Sequence, residues 1–132
     1  MEIRESTDKG RVPVTVFHIT GDIDVNTYEQ LQARAEQAYQ AGTRHLLIDL
    51  AKVDYVSSAG IRAINHIFNL LRTDAPDESD AAIRAGLSAG TFTSGRLKLL
   101  GPSKRVIEAL KATGLDMFLE FHTDLGVAVA SF

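Results

Sequence analysis

Ser57-Ser58-Ala59-Gly60 is the stretch of this 132-residue chain best placed to do chemistry. It follows the apolar run Leu46-Leu47-Ile48, interrupted only by Asp49 before Leu50, and it precedes Ile61, Ile64, Phe68 and Leu71. The short run suits a strand buried on both faces. Steps of three and four predict one buried face of a helix. The two serines therefore stand where a strand hands over to a helix. There the first amides lack intrahelical partners and the helix dipole is positive. A serine in that position either caps the helix, a contribution of about 1 kcal/mol, or carries a group that becomes an oxyanion.

Other chemistries fit less well. A serine nucleophile for acyl transfer calls for Gly-x-Ser-x-Gly, but Val56 occupies the upstream glycine position and His122 is the only late histidine for a triad. A phosphate-cradling loop calls for Gly-x-x-x-x-Gly-Lys-Ser/Thr, which neither Gly86 to Gly90 nor Gly101 to Lys104 matches. His18, His45, His66 and His122 lack metal-ligand spacing; His18 and His45 fall on predicted strands, as packed or edge residues. Asp22 and Asp24, with Asp49 or Asp54, resemble a magnesium-dependent phospho-aspartate receiver. Yet Leu50 follows Asp49 and no lysine lies beyond Gly114. Capping by Asp24 and a turn at Asp54 account for these carboxylates more simply. No enzymatic activity, metal or cofactor is expected.

Composition narrows the class further. A net charge of −3 without a dense basic cluster gives no case for direct nucleic-acid binding. No apolar segment approaches the roughly 18 residues of a membrane span. Absence of cysteine removes disulfides and thiolate sites. MEIRESTDKG has no signal-peptide core. The expectation is a single domain working in the cytoplasm.

The elements that must hold the serines follow in order. Glu2 to Thr7 reads as a short edge strand and Val12 to Thr20 as a β-branched one, with Pro13 near its start. Gly21-Asp22-Ile23-Asp24 breaks it, and Asp24, Asn26 or Thr27 caps a helix with Tyr28, Leu31, Ala35 and Ala38 on one face, ended by Gly42. A strand at Arg44 to Leu50 and a helix at Ser58 to Arg72 come next. Residues 73–95 are acidic, then small and polar; Asp80 to Ala85 can form a helical turn. So long a connector is either a mobile surface insertion or an ordered element that touches a partner. Arg96 to Leu100 is a strand, Ser103 caps a helix buried through Val106, Ile107 and Leu110, and Gly114 ends it. Phe118 to Phe121 is a last strand, and Thr123 or Asp124 caps a final helix built on Leu125 and Val129. This β-β-α-β-α-β-α-β-α order implies an α/β sheet covered by helices. Functional groups then gather beyond the carboxyl ends of the strands, where Gly21 to Asp24, Asp54 to Gly60 and Gly101 to Ser103 would share one rim.

These residues carry a family resemblance. Gly21-Asp22-Ile23-Asp24 with Thr27, followed by Leu46 to Leu71, resembles a STAS domain, the fold of bacterial anti-sigma factor antagonists. The family pattern is Gly-Glu-Leu-Asp-x-x-Thr after an early strand, then a strand, an Asp-Ser-Ser/Thr-Gly-like turn and a helix. Gly114-Leu115 resembles its late turn. The resemblance covers nearly the whole chain, 1–132, as one unit, except for an unusual insertion at about 73–95. It implies a mixed, largely parallel sheet of four to five strands with about four helices. Aligned on Gly60, Ser58 takes the place of the family's phosphorylated serine, with Ser57 as its rival. Ser57 stands where the family usually has Asp, and Ala59 where it has a second hydroxyl. The implied partner-binding rim is Asp22, Asp24, Thr27, Tyr55, Ser57, Ala59, Gly60 and Arg62. The implied partners are an anti-sigma factor with serine kinase activity and a serine phosphatase, with neither nucleic acid nor membrane. The alternative is a STAS sensor that binds a nucleotide or another small ligand at the same rim.

Overall fold

The computed structural model describes residues 1–90 and 92–132. Thr91, inside the expected insertion, lies outside the described residues. Five strands, β1 (Glu2–Lys9), β2 (Pro13–Thr20), β3 (Leu46–Lys52), β4 (Leu97–Leu100) and β5 (Glu120–His122), form one sheet in sequential order. β1 and β2 are antiparallel, and β2 through β5 run parallel. Pro13 opens β2, a position that needs no ladder amide from it.

Helices α1 (Tyr28–Gln40), α2 (Ser58–Leu71) and α4 (Lys104–Thr113) pack with α3 (Asp80–Ala89) on one face of the sheet. Alternation along the strands decides this. Phe17, Ile19, Ile48, Leu50, Leu97 and Leu99 point to that side and meet Leu31, Ala35, Ile64, Ile67 and Val106 in the main core. Val14, Val16, Leu47 and Leu100 point the other way, under the short α5 (Leu125–Ala130). Full burial of Leu46, Leu47 and Ile48 fits a central strand covered on both faces.

Several boundaries differ from the sequence reading. β3 begins at Leu46 rather than Arg44, so His45 precedes the strand, although its carbonyl accepts from Thr15 N at 3.0 Å. The last strand is Glu120–His122, not Phe118 to Phe121, because Leu115–Met117 first makes a 3₁₀ turn after Gly114. In α5, capped by Asp124, Ala128 and Val129 are buried while Leu125 is 38% exposed. The helices number five rather than about four among the described residues. The extra one is α3, which continues past the expected turn at Ala85 to Ala89. Among its described residues, the 73–95 segment forms a 3₁₀ turn at Pro76–Glu78 followed by α3. Ile83 joins the main core, and the segment is anchored by Glu78, buried at 2% exposure.

Candidate functional site

The carboxyl ends of β2, β3 and β4 open on one rim, and backbone bonds join two of its connectors. Gly21, at φ +102°, turns the chain out of β2, with its N–H donating to Lys52 O at 3.2 Å. Ile23, fully buried, donates to Tyr55 O at 3.0 Å and accepts from Ser57 N at 2.9 Å. The turn after β2 is thereby fixed to the connector after β3, through a parallel bridge of Ile23 with Val56.

Within the turn, polar side chains satisfy the backbone. Thr27 Oγ1 accepts from Asp24 N and donates to Asp22 O, both at 2.9 Å. Asp24 Oδ1 accepts from Asn26 N at 2.9 Å, an Asx turn. Thr27 holds the N-cap position of α1, but its hydroxyl serves the turn instead of the helix amides. Asp22 remains exposed.

At α2 the two serines hold different positions. Ser57 is the N-cap: extended at φ −78°, ψ 175°, with Oγ accepting from Gly60 N at 3.3 Å. Ser58 is the first helical residue and is exposed. Among the described residues no side chain hydrogen-bonds its hydroxyl, so no internal base activates it. Ala59 and Gly60, expected on the partner-binding rim, are both buried. A Cβ on Gly60 would lie 2.5 Å from Ile23 O and 2.7 Å from Val56 Cγ1. Gly60 is what lets α2 close on the stitched turn.

The exposed part of the rim is Asp22, Tyr55, Ser58 and Arg62, with Asp24, Thr27 and Ser57 half-buried. Sequence reasoning missed Val25, which stands 70% exposed at the tip of the turn beside Tyr55's connector. Its signal was an apolar residue in a polar turn, outside any periodic face. Arg105, on α4, was missed as well; its guanidinium sits 5.2 Å from the Tyr55 ring centre. Beside Ser58 runs a groove of about 380 Å³, where Ser58, Ile61, Arg62 and Asn65 of α2 face Thr113, Leu115 and Phe118. The Tyr28 hydroxyl donates to Glu29 at 3.1 Å; that bond and the Glu29 charge raise its pKa, while Arg62 pulls the other way.

The remaining candidates lie elsewhere. Asp49 and His18 pair with each other on the sheet, 2.9 Å apart. Among the described residues no cluster of His, Asp or Glu suits a metal ion, and no helix is long and apolar enough to cross a membrane.

Residues 5–75 match the family model of the STAS domain. No curated protein matches the chain. The fold is similar to an anti-sigma-factor antagonist (STAS) domain protein from Planctomyces limnophilus, with 20% identity, a TM-score of 0.68, and 98% of this chain and 97% of that one covered. It is also similar to an anti-sigma factor antagonist from Mycobacterium paratuberculosis, at 16% identity and TM-score 0.66, with coverages of 98% and 93%. The phosphorylated form of the Bacillus cell fate determinant SpoIIAA gives 16% identity and TM-score 0.63, covering 96% of each chain. At such identities the structures share a fold. The family match spans more than half the chain and contains both the Asp22–Thr27 turn and Ser58: the chain belongs to the STAS domain family.

Proposed function

We propose that this chain is an anti-sigma factor antagonist-like regulatory module, switched by phosphorylation of Ser58. Unphosphorylated, it docks through its rim on an anti-sigma factor that is also a serine kinase, displacing the sigma factor. The kinase then transfers the γ-phosphoryl group of ATP to Ser58 Oγ; the bond to ADP breaks and the hydroxyl proton leaves. A serine phosphatase reverses the step. On this reading residues 1–132 act as one STAS-like unit in the cytoplasm, with 73–95 as an insertion. The module needs no cofactor, nucleic acid or membrane.

The observation that carries the reading is the exposed Ser58 hydroxyl at the first residue of α2, beside the stitched Asp22–Thr27 turn. Ser57 is the weaker phosphate acceptor, because its oxygen is already the cap of α2. Exposed Val25 and Tyr55 give the docking surface apolar contact area on the same rim.

Electrostatics decides what the phosphate changes. It adds about −1.5 to −2 charges. A helix N-terminus stabilises such an anion by up to about 2 kcal/mol, and Asp22 and Asp24 oppose it, so the fold changes little in stability. Desolvating the same dianion in an interface shaped for a hydroxyl costs several kcal/mol, and each 1.4 kcal/mol is about tenfold in affinity. Release follows from the difference. Incubation with the cognate kinase and ATP, followed by intact mass, tests the assignment. A single phosphate lost in Ser58→Ala supports it; an unchanged mass, or a gain indifferent to that substitution, refutes it.

The groove beside Ser58 favours one second reading, a sensor that binds a nucleotide or other small ligand there. Calorimetry with nucleotides separates the two, since the switch requires no heat of binding in the absence of the kinase.

A further inference from the structure

The second face of the sheet is only half covered. α5 spans six residues and shields Val14, Val16, Leu47 and Leu100. Beyond its reach the same rows turn polar, with Arg4 and Ser6 on β1, His18 on β2 and Asp49 on β3. Pairing sets Arg4 opposite His18, and His18 beside Asp49. Ser6 Oγ lies 3.0 Å from His18 Nε2, and His18 Nδ1 lies 2.9 Å from Asp49 Oδ2. The other Asp49 oxygen accepts from Ala51 N at 3.0 Å, which fixes the carboxylate plane. An ionised carboxylate can only accept, so Nδ1 carries a proton, and in the neutral ring Nε2 then turns its lone pair toward the Ser6 hydroxyl. Serine, imidazole and carboxylate joined in this order through these two ring nitrogens form the arrangement that activates a serine nucleophile.

We propose that Ser6 is a nucleophilic serine, with His18 as its general base and Asp49 as the residue that positions His18, and that it reacts with small carboxylic esters. The His18 and Asp49 side chains are 18% and 21% exposed, sheltered yet reachable. An adjoining cavity of about 250 Å³, lined by Glu2, Arg4, Thr20 and Lys52 together with His18 and Asp49, has room for a short polar acyl group. Arg4, two residues from Ser6 on the same face of β1, also lines this cavity.

In the reaction, Ser6 Oγ adds to the ester carbonyl as its proton passes to His18 Nε2. The alkoxide leaves, taking that proton, and the acyl group stays on Ser6. Water, deprotonated by His18, then adds to the acyl carbon; the carboxylic acid departs and Ser6 regains its proton.

The test treats the full chain with a fluorophosphonate probe, which reacts with activated serines, and maps the label by peptide mass. A p-nitrophenyl acetate assay follows turnover. The expected result is a label on Ser6 that vanishes in Ser6→Ala and forms at least about a hundredfold more slowly in His18→Ala. Asp49→Asn should slow labelling too, and nitrogen-15 spectra should show His18 leaving the Nδ1–H tautomer, a change that packing alone does not require. An unlabelled folded chain, a label that persists in Ser6→Ala, or Asp49→Asn reacting at the wild-type rate overturns the proposal. None of these outcomes bears on the Ser58 switch, which sits at the first residue of α2.

Discussion

The serine rim and the 73–95 segment look alike in composition, since Asp22-Ile23-Asp24-Val25-Asn26-Thr27, between β2 and α1, and Asp74-Ala75-Pro76-Asp77-Glu78, between α2 and α3, are both short acidic connectors. Their polar atoms point in opposite directions. On the rim, Asp24 and Thr27 close the turn on itself, and Asp22, Val25, Tyr55 and Ser58 are left facing solvent. In the segment, Glu78 turns inward. It accepts from Ser94 Oγ at 2.7 Å and from Gly95 N at 3.0 Å, while Ser94 Oγ accepts in turn from Arg96 N and Leu97 N. Arg72 bonds Glu78 O and Asp80, Arg96 bonds Asp77, and Phe92 packs against Phe68 and Phe118. A buried carboxylate so fully partnered holds a connector in place. The two stretches are therefore separated by where their polar atoms point, and composition alone does not distinguish them.

The contrast breaks most visibly at Ser58. Phosphorylation, or Ser58→Asp as its partial mimic, should lower affinity for the anti-sigma partner by about a hundredfold or more, with the thermal midpoint nearly unmoved. Titration calorimetry beside thermal melts reads both. A melt that falls in step with affinity would place Ser58 among the structural serines. Glu78→Ala should do the reverse. Leaving the Ser94 hydroxyl and Gly95 amide without their acceptor should cost about 1–3 kcal/mol for each group that water cannot reach. Urea unfolding would show this, while kinase docking stays intact unless the segment itself touches the partner. Gly60→Ala lies between the two regions. The added methyl meets Ile23 O, so a loss of about 1–3 kcal/mol is expected, together with weaker docking as α2 retreats from the turn.

How much of this was legible follows the same division. The sheet, its central strand and the α2 face were readable because periodicity reports burial, as Leu46 to Ile48 and Ile61 to Leu71 show. So was the shared rim, because parallel crossovers bring the carboxyl ends of β2, β3 and β4 together. The anchoring of 73–95 was not legible as such. It depends on one charged residue, Glu78, meeting Ser94 sixteen positions later, a pairing that no local pattern announces. The burial of Gly60 was hidden for a similar reason: it depends on Ile23, more than thirty residues away. Ser6, His18 and Asp49 come from three strands, and only Asp49's interruption of an apolar run hinted at a polar patch on the sheet.

The finest test sets the two adjacent serines against each other. Ser57 Oγ holds Gly60 N, so Ser57→Ala should lower stability by about 1 kcal/mol. Ser58, exposed and without a side-chain partner among the described residues, should tolerate alanine within about 0.5 kcal/mol. Alanine is also the better helix former at a helical position, so Ser58→Ala could even raise the melting point slightly. Paired melts measure this difference directly. Equal losses at both positions would mean that the Ser58 hydroxyl also serves the first turn of α2. A phosphate there would then disturb the fold as well as the interface, and the separation between docking and stability would fail at the residue on which it rests.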